Sequence, residues 1–180
     1  VLTKVMDSII KYLHQEYESI FEDRTGERVV SQEKIHKYLG MTIDYTFHGQ
    51  VRISMLEYVE EILKAFAMAE LKGAGTKSSA APENLFVVNK DCVKVTPEKA
   101  VQFHNLMAKT LYATKRARLD TCTSIAFLST RVQAPDTDDW KKLVHLMRYI
   151  RGTQDMPLIL CNNGSGILKW WVDASFAVHP

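Results

Sequence analysis

Apolar side chains recur at three- and four-residue spacings near the start of the chain, with Val5, Ile9, Leu13 and Ile20 in step and Ile10 and Tyr17 beside them. That spacing predicts an amphipathic helix over 2–20. Glu22 to Glu27, with Gly26 among alternating charges, reads as a turn. From Lys37 to Tyr45 the period falls to two. This predicts a strand with Leu39, Met41, Ile43 and Tyr45 on one face and Tyr38, Gly40, Thr42 and Asp44 on the other. A loop from Thr46 to Gln50 then leads into Val51–Ser54, the return strand of a hairpin. Ser54 stands at the N-cap of a following helix, with Glu57 three residues on as in a capping box. That helix turns Tyr58, Val59, Ile62, Leu63 and Phe66 inward and fades after Met68.

Residues 71–97 begin with a stretch rich in Gly, Ser, Ala and Lys and read as a flexible linker between two parts of the chain. Thr96 followed by Pro97 opens the next helix with an N-cap and a proline at its first position. Its apolar face is Phe103, Leu106, Met107, Leu111 and Tyr112. Ile125, Leu128 and Val132 mark a second helix, and Asp136 to Arg151 a third, with acidic residues at its positive end and Trp140, Leu143, Val144, Met147 and Ile150 buried. Beyond Gly152, two short apolar runs flank an Asn162–Gly166 turn and predict a terminal hairpin, Leu158–Cys161 with Ile167–Phe176. The order is that of an α+β fold. It divides into 1–70, a linker over 71–97, a helical unit over 98–153 and a terminal β unit over 154–180.

Composition adds limits. With 46% apolar and 24% charged residues, the 180-residue chain can bury a core. No run reaches the roughly 18 apolar residues of a membrane span. Cys92, Cys122 and Cys161 are widely separated and odd in number, which favours reduced thiols over a disulfide framework or zinc. The six histidines show no ligand spacing. The net charge is only +2, yet residues 98–151 hold ten Lys/Arg against five Asp/Glu, while residues 1–97 hold twelve against fourteen. Lys109, Lys115, Arg116, Arg118, Arg131, Lys141, Lys142, Arg148 and Arg151 thus form a basic helical region. Such a region either binds phosphates without reading bases or is a solvated face. The Asp138-Asp139 pair, just before Trp140, reads as a helix-terminus feature and not a metal site.

Five blocks stand in order along the chain. They are Lys37-Tyr38-Leu39-Gly40-Met41-Thr42-Ile43; Ile53-Ser54-Met55 with Tyr58 and Phe66; Arg118-Leu119-Asp120; Arg148-Tyr149-Ile150-Arg151-Gly152-Thr153; and Trp171-Val172-Asp173-Ala174. Together they resemble the copia-type retrotransposon reverse transcriptase, over nearly the full chain. Leu119 departs from that family's Thr-Arg-Pro-Asp block, and Ser175 stands where a second Asp is common. The resemblance implies the end of a polymerase palm with a primer-grip-like hairpin and its following helix over 1–70. It implies a thumb and connection over 98–153 and the first strands of an RNase H-like domain over 154–180. The family's Tyr-Val-Asp-Asp metal loop would lie just before Val1.

On this resemblance the chain is a fragment of an RNA-directed DNA polymerase/RNase H polyprotein that holds template-primer without either complete catalytic centre. Its partners would be RNA/DNA template-primer and the remainder of the polyprotein, with no membrane, and its setting intracellular, in a cytoplasmic particle or the nucleus. Gly40, Tyr45, His48 and Arg52 on the hairpin and Lys109, Lys115, Arg116, Arg118, Lys142, Arg148 and Arg151 on the helices would contact nucleic acid. Asp173 would be the first RNase H carboxylate, binding Mg2+ only in the full-length parent, since that chemistry needs several carboxylates around two ions. No cofactor is expected for the fragment itself. The rival reading is a stand-alone helical module that binds nucleic acid or protein without catalysis.

Overall fold

The computed structural model of the chain describes residues 2–16, 33–66, 71, 77–162 and 164–167. It divides into two compact units, residues 1–33 and 34–180. In the first, helix α1 spans Leu2–Glu16 and carries Val5, Ile9 and Leu13 along one exposed stripe. The rest of the predicted first helix and the turn at Glu22–Glu27 lie outside the described residues.

The second unit opens with strands β1 (Ile35–Tyr38), β2 (Met41–Asp44) and β3 (Gln50–Ser54). The stretch read as one strand from Lys37 to Tyr45 is therefore a hairpin in itself. Tyr38 pairs with Met41, so Leu39 and Gly40 form a two-residue turn, with φ of 50° and 76°. Two successive positive φ values are the mark of a type I′ turn, whose twist matches that of the strands it joins. The turn moves Tyr38 to the face of Met41 and Ile43 and takes Leu39 out of the ladder, overturning the predicted facing of both. The hairpin of β2 with β3 is as predicted, in antiparallel register through Ile43 and Ile53.

Helix α2 (Leu56–Ala65) follows without the predicted capping box. Ser54 is engaged in the β ladder opposite Thr42, so Met55 takes the N-cap position and offers no side-chain bond. Glu57 instead pairs with Lys37 at 2.6 Å, on the exposed surface. The predicted inner face holds, with Val59, Ile62, Leu63 and Phe66 all buried.

Helices α3 (Pro97–Thr114), α4 (Cys122–Ser129) and α5 (Thr137–Gly152) form the predicted three-helix unit, with a short 3-10 turn at Leu119–Thr121 before α4. Thr96 caps α3 through Lys99 N, with Pro97 in the first turn. At α5, the Asp136 carboxylate accepts from the amides of Asp138 and Asp139, and Asp139 accepts from the amide of Asp136, a complete capping box. Phe66, the C-cap of α2, stacks on Trp140 of α5 at 5.9 Å, inside a core that also takes Phe103, Leu128, Leu143 and Met147.

The predicted linker differs most from expectation. Its described part, residues 77–96, lies as a strap against the helices, and Leu71, Ala80 and Leu85 are buried in the common core. Ser124 of α4 donates to Ala80 O, and Lys142 and Arg151 of α5 reach Val87 O and Leu71 O. Thr137 N donates to Val93 O and Val95 N to Pro135 O, fixing the strap's far end. Its Gly and Ser content signalled irregular backbone, and irregular backbone is what forms; scattered apolar side chains and helix-borne donors hold it in place.

Strand β4 (Leu158–Cys161) lies antiparallel to β3, so the sheet runs β1-β2-β3-β4. The strand expected to begin a separate terminal sheet is thus the fourth strand of the hairpin sheet. Its predicted partner, up to Phe176, lies outside the described residues apart from Ile167. Among the described residues no helix is long and apolar enough to cross a membrane.

Candidate nucleic-acid interface

Two regions that the sequence holds far apart meet at the β1–β2 turn. The Tyr112 hydroxyl of α3 donates to Leu39 O at 2.9 Å across 73 positions of sequence. Beside it, Gly40 faces Met55 and Tyr58, where an added Cβ would stand 3.6 and 3.9 Å from their side chains. Those are ordinary contacts, so what calls for glycine there is the positive φ and not a lack of space. The rings of Tyr58 and Tyr112 lie 5.2 Å apart. Burial, then the neighbouring Tyr112 hydroxyl, push the Tyr58 phenol's pKa above its ordinary value.

Arg116, in the turn just past the end of α3, stacks its guanidinium 3.5 Å from the Tyr112 ring centre and donates through Nη1 to Tyr112 O at 3.2 Å. Next to it, Lys115 is exposed at the helix end. Lys109, within α3 and about 10 Å back along its axis, is exposed too. A groove of about 360 Å³ adjoins this cluster, lined by Tyr38, Leu39, Gly40, Met41 and Thr42 with Lys37 and Glu57 at its side. Hairpin tip, tyrosine pair and Arg116 are therefore joined by direct contacts.

The other hairpin residues lie at the opposite end of β2, roughly 13 Å away for a four-residue strand. There Arg52 lays its guanidinium over Phe47 at 3.4 Å, and His48 is exposed in the loop. Tyr45 is half exposed and packs edge-on to His36 at 5.9 Å. Asp44, opposite Arg52 in the ladder, has its carboxyl held below the ordinary range, first by the Thr46 side chain and then by the Thr46 amide.

Several predicted contacts prove internal. Arg118 is 2% exposed and forms a two-point pair with Asp120, at 3.1 and 2.8 Å, while Nη2 also reaches Thr153 Oγ1 at 2.6 Å. Its Nη1 is buried without a hydrogen-bond partner, and the Tyr149 ring lies 5.8 Å from the guanidinium carbon. Burial pushes the Asp120 carboxyl up, but the hydrogen bonds and charge of Arg118, with Tyr149, leave it below the ordinary value. Lys142 is likewise 2% exposed, pairing with Asp138 at 2.8 Å and lying over Phe127. To reach a phosphate, either cation would have to leave a buried position and its carboxylate partner. Arg131 pairs with Asp136 and Asp139, and Arg148 and Arg151 are partly buried.

Asp173 lies outside the described residues. Among the described residues no three His, Cys, Asp or Glu side chains converge to hold a metal, and Asp138 and Asp139 are the helix-terminus residues they were read to be. The sequence reading missed Tyr58 and Tyr112 as site residues. Its available signal was the four-residue spacing of Tyr112 and Arg116, which brings two side chains together where the backbone is helical or nearly so.

No protein-family model matches the chain, and no solved structure matches it significantly. Over 130 residues, 69% of its length, it is 28% identical to the Retrovirus-related Pol polyprotein from transposon TNT 1-94 of Nicotiana tabacum. The chain spans 9% of that polyprotein. This similarity supports an origin for the chain as a fragment of a retrotransposon Pol polyprotein.

Proposed function

We propose that this fragment is the template-primer-holding part of a reverse transcriptase, with residues 34–66 as the end of the palm and the helices from Pro97 onward as thumb and connection. What carries the reading is the Tyr112 bond to Leu39 O, which joins the primer-grip-like turn to the basic end of α3. The strand backbone would lie across the turn and meet Arg116, Lys115 and Lys109 through its phosphates, without base readout. At the far end of the hairpin, Tyr45, His48 and Arg52 would extend the contact. Positioning of this kind contributes to catalysis by holding the reacting end of the primer in a narrow range of geometries. In the parent, metal ions such as Mg2+ would supply the polymerase and RNase H chemistry, with Asp173 among the RNase H ligands. The setting would be intracellular.

The test is a titration of the chain with an RNA/DNA hybrid over a range of salt concentrations, repeated with Lys115→Ala/Arg116→Ala. The logarithm of affinity should fall linearly with the logarithm of salt, and the double variant should flatten that slope by about one unit per phosphate contact removed. Binding that ignores salt, or that the double variant leaves unchanged, would remove the interface from this surface.

A further inference from the structure

We propose that Tyr112 is a positioning residue that sets the Leu39–Gly40 turn and the Arg116 guanidinium as one unit, so that a nucleic-acid backbone is gripped by both together. The inference rests on the template-primer reading for its ligand, but its geometry is independent of it. The Leu39–Gly40 turn sits at the edge of the sheet, where β1 has only β2 as a ladder partner and the ladder of β2 with β3 stops at Thr42. Tyr112 ties that tip to a long helix through Leu39 O at 2.9 Å. Leu39 itself is a non-glycine residue at positive φ, a conformation that surrounding structure must hold in place.

The same ring orients Arg116. Its guanidinium carbon lies over the phenol ring, 3.5 Å from the centre, and Nη1 is drawn back to Tyr112 O. One of the five N–H donors is used in that bond, and a stacked guanidinium offers its in-plane edge to a phosphate in a fixed orientation. Tyr58 of α2 packs tilted against the same phenol at 5.2 Å and adds a contact that holds the ring. One side chain thus touches both halves of the grip and adds a tie between them to those that each element makes within itself.

Tyr112→Phe removes the hydroxyl and keeps the ring beneath Arg116. In the full chain, amide exchange over residues 38–42 should speed up in this variant with no loss of helix content. Affinity for an RNA/DNA hybrid should drop about five-fold, as for one net hydrogen bond, while the salt slope stays as in the wild type. Arg116→Ala should flatten the slope, and the double variant should lose less than the product of the two single losses, the sign of a coupled pair. Unchanged exchange at the turn, or additive losses, would overturn the proposal. If the wild type fails to bind hybrid, the template-primer reading falls, and the exchange measurement alone decides whether Tyr112 sets the turn.

Discussion

Enclosed by Thr153 and Tyr149, the Arg118 guanidinium is almost wholly removed from water, and Asp120 is the group that balances its charge. Removing one member of such a pair costs more than the pair contributes, because the other is left uncompensated. Asp120 has a lowered pKa in the folded chain, so the pair's contribution is complete above the ordinary carboxylate range and is lost as pH falls through the lowered value. Asp120→Asn should therefore reduce unfolding free energy by about 1–3 kcal/mol at neutral pH. In urea unfolding the gap to the wild type should close in acid, and a gap of constant size at every pH would contradict the assignment. Charge alone was legible here. Arg118 and Lys142 look in sequence like Lys109 and Lys115, and burial, which only tertiary packing decides, separates the two kinds.

At the scale of elements, the three-helix unit was readable because its signals are local. Thr96-Pro97 and Asp136 with Asp139 mark helix starts by chemistry that acts within one turn. Asp136→Ala should remove the box at α5 and cost about 1–2 kcal/mol of stability. Thermal unfolding would register this, and Asp136→Ser should recover most of the loss by restoring a capping oxygen. The hairpin was harder to read. Leu39-Gly40 lacks the Asn-Gly or Asp-Gly signature of a type I′ turn, and the alternation around it runs unbroken enough to pass for one strand. The strap was read as flexible because low-complexity composition hides the contacts of single residues such as Leu85. Likewise, nothing local in Leu158–Cys161 says that its partner is β3, more than a hundred residues earlier.

For the whole molecule, the decisive event is the closure of the hairpin tip onto α3. The hairpin and the Lys115-Arg116-Ala117-Arg118 run were each visible in sequence as candidate contacts; their meeting was not, since it depends on a tyrosine read only as a core residue. Similarity to 9% of a retrotransposon Pol polyprotein gives that meeting a context, and the exposed Lys109 and Lys115 with Arg116 give it an electrostatic sense. The most direct measurement is photochemical cross-linking of an RNA/DNA hybrid to the full chain, with the attached peptides mapped by mass spectrometry. A grip shared by the hairpin tip and the end of α3 should give adducts at residues 38–41 and at residues 109–116 on the same complex. Adducts confined to α5 or the strap, with neither of those segments labelled, would contradict it.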